Sequence, residues 1–376
     1  MLLFNCRPTI HKFDTFKEFS QDFNISEDDL ILTSNFLYNT VLNQLNLKCN
    51  FIFRDKHGSG EPTDKMIKSI FEEAEKLNYK RVIAVGGGSI VDIAKLLTHK
   101  NLNKNIDLYE LFTKKIPFNK NKELVIIPTT CGTGSEVTNI SIVGFIEKKT
   151  KLGLAIDELY ADDAVLIIEL LKTLPFNAFM TSSIDALIHA IESYLAPKSN
   201  PYTELYSLKA IKLILEGYLK IHKNGKEYRN DIIDTFAIAS NYAGIAFDNT
   251  GVGAVHAISY PLSGKYHVSH GEANYQFLTE VLKTYYKMNG TGKIKELNTF
   301  ISSILNIEDN SDVIYLKIDE ILGSFLPKKK LREYDMQQFE VNDFATLAVE
   351  TQQRLLNNNY VPFDKAVIAS IYENLF

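Results

Sequence analysis

The chain has 376 residues, 45% hydrophobic and 23% charged, with a formal net charge of -5. That length exceeds the needs of one small core and suits two domains. The acidic balance excludes the footprint of a nucleic-acid or anionic-lipid binder, which points to a small-molecule partner, with no nucleic acid and no membrane.

From the start, Arg7, His11 and Lys12 interrupt any apolar run of signal-peptide length. No stretch approaches the roughly 18 apolar residues of a membrane span. Cys6, Cys49 and Cys131 are sparse and lack CxxC spacing, which predicts no disulfide framework and a cytoplasmic protein. Asp29 to Thr33 (DLILT) is then a predicted strand, Asn35 to Leu45 a helix and Phe51 to Phe53 a short strand. Pro62 marks the start of a helix in which Met66, Ile67, Ile70, Phe71, Ala74 and Leu77 recur at helical spacing. Arg81 to Val85 (RVIAV) and Glu123 to Ile127 (ELVII) are apolar strands. Strands alternating with helices predict βαβ units and a mostly parallel sheet buried on both faces.

Beyond about Pro175 helical periodicity takes over: Ser182 to Leu195, Tyr202 to Ile221, Asp231 to Ala246, Glu272 to Met288 and Phe344 to Leu356. The predicted organisation is an N-terminal α/β domain, residues 1–178, and an all-α C-terminal domain, residues 179–376. Lys328 to Arg332 (KKKLR) is expected to be a solvated face.

Gly86-Gly87-Gly88-Ser89 follows one apolar strand and opens a helix from Ile90 to Leu97. Free backbone N–H groups and the helix dipole make such a junction an anion site, and glycine admits a phosphate without a Cβ in the way. The string is neither GxGxxG, since Val91 holds the last glycine position, nor a Walker A loop. A plain glycine-rich turn with no ligand stays open on this feature alone. A second loop, Pro128 to Glu136 (PTTCGTGSE), also follows a strand and is dense in hydroxyls and glycines. Two such loops at strand ends describe a dinucleotide crevice better than either alone.

Asp185 and His189 stand four apart in SSIDALIHAIESYL, a largely apolar helical segment, so both project from one face. Buried together, they need a metal ion or an ion pair between themselves. His256, His267 and His270 follow in GVGAVHAISYPLSGKYHVSHGEANY. Scattered surface histidines are the alternative explanation of this cluster. Combined with Asp185 and His189, the set suits a borderline divalent ion such as Fe(II) or Zn.

GGGSIVDIAK, PTTCGTGSEVTN, IDALIHAIESY and the His256 to Asn274 segment resemble, in order and across nearly the whole chain, the iron-containing (group III) alcohol dehydrogenases. HKFDT, GSGEPTD, KKLREYDM and QQRLLNNNY are similar to members that act on 4-hydroxybutyrate. The resemblance implies a dehydroquinate-synthase-like architecture and a cytoplasmic homodimer. It also implies hydride transfer between NAD(H) and a short-chain alcohol or hydroxy acid. It implies metal ligation by Asp185, His189, His256 and His270. Cofactor contacts would come from Gly87, Gly88, Ser89, Asp92, Thr129, Thr130, Thr133, Ser135 and Lys151.

Two departures stand out. Tyr260 occupies a position where many relatives place a proton-transferring histidine, so His267 is a candidate replacement for the relay, with a pocket-wall role as its alternative. Ser34 stands where many relatives hold an aspartate that disfavours a 2′-phosphate, which weakens the preference for NAD over NADP. A 4-hydroxybutyrate-like substrate needs a cation for its carboxylate. Lys265 is the positional candidate and Arg354 a weaker one, against the alternative of ordinary exposed side chains. The competing functions are another alcohol, diol or glycerol dehydrogenase, a dehydroquinate-synthase-like lyase, and a non-catalytic dinucleotide-binding protein.

Overall fold

The structure is a computed structural model describing residues 2–100, 103, 105–148 and 150–376. Residues Cys6–Leu174 form one compact unit, and Pro175–Phe376, with the segment up to Asn5, form a second.

Among the described residues the first unit has eight strands: β1 (Thr9–Phe13), β2 (Asp29–Thr33), β3 (Asn50–Phe53), β4 (Arg81–Gly86), β5 (Glu123–Pro128), β6 (Ile140–Phe145), β7 (Thr150–Ala155) and β8 (Asp163–Ile167). Six form one sheet in the order β1-β8-β5-β4-β2-β3. Every pairing in it is parallel. Side chains alternate between two apolar layers, as the two-residue period of a strand requires. Leu30, Leu32, Val82, Ala84, Leu124 and Ile126 lie on one side. Ile31, Ile83, Val85, Val125 and Ile127 lie on the other. Burial on both faces explains why these strands read as continuous apolar runs. Asp29 and Arg81, paired in register, clamp the starts of β2 and β4 through bonds of 2.6 and 3.0 Å.

The sequence does not single out β1, β8 or the antiparallel hairpin β6–β7. In β6 side chains alternate between buried and more open positions, and β7 is mostly open, so no apolar block forms. The helix expected over Asn35 to Leu45 is irregular. Three α-helical residues lead into a π turn over Tyr38–Leu42 and a 3₁₀ turn over Asn43–Leu45, which together still bury Leu37, Val41 and Leu42.

In the second unit every described element is helical. The long helix Phe176–Leu195 starts six residues before the expected Ser182, because Phe179 and Met180 continue its buried face. Asn200 caps the helix Pro201–Asn224, and Pro201 fills its first position, where no N–H is needed. The histidine-rich stretch opens with a helix, Ala254–Tyr266, carrying Pro261 inside it. Ala254, Val255, Ala257, Ile258 and Leu262 are its buried apolar side. The helix His270–Met288 follows after a short turn. Lys328 to Arg332 is not wholly a solvated face. Leu331 is fully buried, and the Lys328 ammonium bonds Thr279 and Asp319 at 2.6 and 2.9 Å. Among the described residues no helix is long and apolar enough to cross a membrane.

Candidate functional site

Three helices of the second unit converge on one small volume. Asp185 and His189 come from one face of Phe176–Leu195, His256 from the first turn of Ala254–Tyr266, and His270 from the first position of His270–Met288. One donor atom from each lies within 4.8 Å of the others. His256 Nε2 is 3.1 Å from His189 Nε2 and 3.7 Å from Asp185 Oδ1, and His270 Nε2 is 3.8 Å from Asp185 Oδ1. Donors about 2.0–2.2 Å from a shared ion stand roughly 3–4 Å apart, so the spacing fits one cation.

Close packing makes this convergence possible. Gly271, next to His270, lies so near the Asp185 helix that a Cβ there would sit 2.2 Å from the Thr181 carbonyl oxygen. The His189 ring is stacked between Phe247 at 4.3 Å and His256 at 4.7 Å between centroids. Asp185 Oδ1 accepts a 2.8 Å bond from the Asn274 amide, whose oxygen in turn accepts from Ser259.

Asp185, His189 and His256 are buried, whereas His270 is half-exposed. Burial acts to raise the Asp185 carboxyl, but His189, His270, His256 and the Asn274 amide together hold it at about 2. Burial pushes His189 down to about 4, with His256 and His270 adding to the effect. Burial also works against a charged His256, yet Glu192 and Asp185 hold it above the usual imidazole range. An ionised carboxylate and imidazole nitrogens, which a metal ion binds by displacing any proton they hold, are the donor chemistry that Fe(II) or Zn takes.

The first unit carries the second feature. Gly86 of β4 pairs with Pro128 of β5, and the Thr129 N–H donates to the Gly86 carbonyl at 3.1 Å. The two loops therefore leave adjacent strand ends side by side. A Cβ on Gly87 would lie 3.3 Å from Thr130 Cγ2, and one on Gly88 would lie 3.0 Å from Thr133 Cγ2. Gly134 turns the second loop with φ +56°, a conformation that favours glycine. Gly87 caps the helix Gly88–Leu96 without a side chain, which leaves that helix start open to an anion. The buried Thr130 Oγ1 has no hydrogen-bond partner among the described residues, an orphaned polar atom at the edge of this cradle. These features fit a dinucleotide.

The remaining residues named from sequence have diverse settings. Ser89 Oγ accepts from Arg54 at 3.0 Å and donates to the Gly60 carbonyl at 3.2 Å. Asp92 accepts from Ser135 Oγ and the Ile142 N–H, and burial raises its carboxyl to about 6 against the pull of Lys95. It therefore ties the helix Gly88–Leu96 to β6. Lys151 on β7 is exposed and paired with Glu61. Ser34 uses its hydroxyl to cap the Leu37 N–H at 3.2 Å, while the neighbouring Asn35 N–H bonds Asp55 at 2.7 Å. Tyr260 lies one turn beyond His256, with its ring centroid 6.0 Å from that of His270. His267 is exposed at the helix end with φ +55°, outside the four-donor group. The Lys265 ammonium is paired with buried Glu340, which also accepts from Tyr266, so its charge is balanced within the fold. Arg354 is exposed.

Sequence reasoning missed four residues. Glu192 lies 2.6 Å from His256 Nδ1, and Asn274 holds Asp185. Lys95 is fully buried and donates to Ser135, Thr138 and the Ile140 carbonyl under the second loop. Arg54 reaches the Gly-rich turn from the end of β3. Glu192 was within reach of inspection, since it follows Asp185 and His189 at one-face helical spacing.

A parallel α/β unit with a cradle at two adjacent strand ends, and a helical unit holding a carboxylate among three imidazoles, are the equipment of a dehydrogenase. Residues 9–167 match the family model of the iron-containing alcohol dehydrogenases, and residues 179–376 match the C-terminal model of the same family. The chain belongs to the iron-containing alcohol dehydrogenase family. It is 50% identical over 376 residues to the 4-hydroxybutyrate dehydrogenase of Clostridium kluyveri, covering 100% of both chains. It is 33% identical over 300 residues to long-chain-alcohol dehydrogenase 1 of Geobacillus thermodenitrificans, covering 78% of this chain and 74% of that one. In fold it is similar to the sulfoacetaldehyde reductase of Bifidobacterium kashiwanohense, solved in complex with NAD+. The TM-score is 0.85 at 21% identity, over 100% of this chain and 99% of the other.

Proposed function

We propose that this protein moves a hydride between NAD(H) and the 4-hydroxybutyrate/succinate semialdehyde pair, with Fe(II), or alternatively Zn, held by Asp185, His189, His256 and His270. The observation that carries the reading is the convergence of these four donors, together with full-length likeness to the Clostridium kluyveri enzyme. A bound divalent ion supplies Lewis acidity for the substrate oxygen, and a bound nicotinamide supplies the hydride acceptor or donor.

The chain's own residues divide the remaining work. Gly87, Gly88 and Ser89 offer backbone N–H groups and room for a pyrophosphate, while Thr129, Thr130, Thr133 and Ser135 present the second loop. Asp92 and Lys151 complete the proposed cofactor contacts. In the oxidation direction the alcohol gives up its hydroxyl proton and a hydride from the carbinol carbon. Tyr260, close to the His270 ring, is the proposed first carrier of that proton, and His267, beyond the same helix, the next. Lys265 serves a substrate carboxylate only by leaving Glu340. That pairing favours a second reading, in which the substrate is an alcohol or diol without a carboxylate.

We place the enzyme in the cytoplasm as a homodimer. The support is a set of three cysteines outside any disulfide, and the family resemblance. Metal analysis of the purified protein, combined with an NADH-absorbance screen of ω-hydroxy acids against alcohols and diols, tests the whole reading. Preference for 4-hydroxybutyrate supports the first substrate, and preference for an uncharged alcohol or diol selects the second. Light scattering tests the dimer.

A further inference from the structure

We propose that Glu192 is the positioning residue that fixes the tautomer of His256, so that Nε2 faces the cation. The inference rests on the metal reading above.

Glu192 lies on the same helix as Asp185 and His189, at i+7 and i+3 from them, and is buried. Its two carboxylate oxygens have different tasks. Oε1 accepts the Val255 backbone N–H at 2.7 Å, and Oε2 lies 2.6 Å from His256 Nδ1. A carboxylate only accepts, so Nδ1 must carry the proton. In the neutral ring Nε2 then carries the lone pair, and it is Nε2 that stands 3.1 Å from His189 Nε2 and 3.7 Å from Asp185. Carboxylate–histidine–metal relays of this kind orient the ring and strengthen the ligand.

The surrounding chain keeps the carboxylate in place. A Cβ on Gly253 would lie 3.3 Å from Glu192 Oε1 and 3.1 Å from Asn359 Oδ1, tight contacts that glycine avoids. Asn359 accepts the Ala254 N–H at 3.1 Å and a bond from the Tyr285 hydroxyl. Successive N–H groups at the start of the His256 helix, otherwise orphaned, are thus met by Asn359 and Glu192. Asn358 bonds the Val252 carbonyl at 3.1 Å, so the QQRLLNNNY segment braces the turn that delivers His256.

Glu192→Gln separates this role from mere packing. The amide has the same shape but only one accepting oxygen. Either Val255 loses its acceptor, or the amide nitrogen faces Nδ1 and forces the proton onto Nε2, where it blocks the ligand. Metal-free wild type, Glu192→Gln and Glu192→Asp are titrated with Zn(II) against a chelating competitor, and NADH affinity is measured in parallel. The expected result is Zn(II) binding about 10–100-fold weaker in Glu192→Gln, unchanged NADH affinity, and partial recovery in Glu192→Asp. Zn(II) affinity in Glu192→Gln equal to wild type overturns the proposal. Failure of wild type itself to bind Zn(II) or Fe(II) overturns the metal reading instead. Should Glu192→Gln not fold, ¹⁵N NMR of Zn-loaded wild type reads the tautomer directly. A proton on His256 Nδ1 sustains the proposal, and a bare Nδ1 refutes it.

Discussion

The Nε2 atoms of His189 and His256 face each other across 3.1 Å, with the two rings stacked 17° from parallel. Two lone pairs at that distance repel unless a proton or a cation lies between them. With Asp185 adjoining, a divalent ion relieves the repulsion better than one proton does.

The first prediction concerns His270, the half-exposed donor of the four. His270→Ala removes one ligand at the edge of the group and leaves the cradle in the other unit untouched. Turnover should fall by roughly 10³-fold or more, the scale of losing several kcal/mol of Lewis-acid stabilisation. NADH affinity, followed by fluorescence, should remain that of wild type. Wild-type turnover in this variant removes His270 from the ligand set.

Acid should weaken the metal-free fold over a defined window. His189 is held at about 4 against an ordinary 6.5. The unfolded chain therefore takes up this proton near 6.5, while the fold resists it until about 4. The stability carried by neutral His189 is present above that window and is lost as pH falls through it. His256 is shifted the other way, so its contribution is already complete below pH 6.5 and stays constant. Denaturant melts of metal-free wild type and His189→Asn at several pH values should show a shallower slope in the variant. Equal slopes contradict the assignment. In the loaded protein, acidification should release the ion, because protons and metal compete for the same nitrogens.

Gly271 is the position where a single methyl group should do most damage. Its Cβ would meet the Thr181 carbonyl oxygen at 2.2 Å and Asp185 Cβ at 3.4 Å. Backbone cannot swing aside as a side chain can, so the His270 helix must move off the Asp185 helix. Gly271→Ala should cost about 1–3 kcal/mol of stability, as overpacking does. It should also weaken metal binding, because His270 moves with its helix. A variant with wild-type melting and wild-type metal affinity contradicts this geometry.

The parallel sheet was legible because its strands are buried on both faces, which leaves DLILT, RVIAV and ELVII as unbroken apolar runs. The hairpin β6–β7 was not, since its alternating burial mixes Ser141 and Gly144 with apolar neighbours. Asp185 and His189 stood out as a four-residue spacing on an apolar helix. What spacing cannot give is the partner. Nothing in the run of residues places Glu192 against His256, Glu340 against Lys265, or Asp55 against the turn after β2. Those pairings join positions separated by 64, 75 and 20 residues, and only the packed fold determines them. The helix through Pro261 was hidden for a different reason. A proline is a breaker by local propensity, and here buried apolar neighbours keep the chain helical through it.

The last prediction turns on Thr130. Its hydroxyl is buried without a hydrogen-bond partner among the described residues, while its methyl group packs where a Cβ of Gly87 would come within 3.3 Å. An unmet buried hydroxyl destabilises the fold on its own, so it persists at a functional site when a ligand satisfies it. Thr130→Val keeps the shape and removes the hydroxyl. The free protein should therefore be as stable as wild type or more so, by up to about 1–2 kcal/mol. Dinucleotide binding should weaken by about 3–10-fold, the worth of one hydrogen bond. Calorimetric NADH titrations and thermal melts of the same preparations read both effects. Opposite signs for stability and affinity are what a ligand-facing hydroxyl demands. Loss of both together would mean that Thr130 bonds within the protein, and that the cradle was drawn around the wrong oxygen.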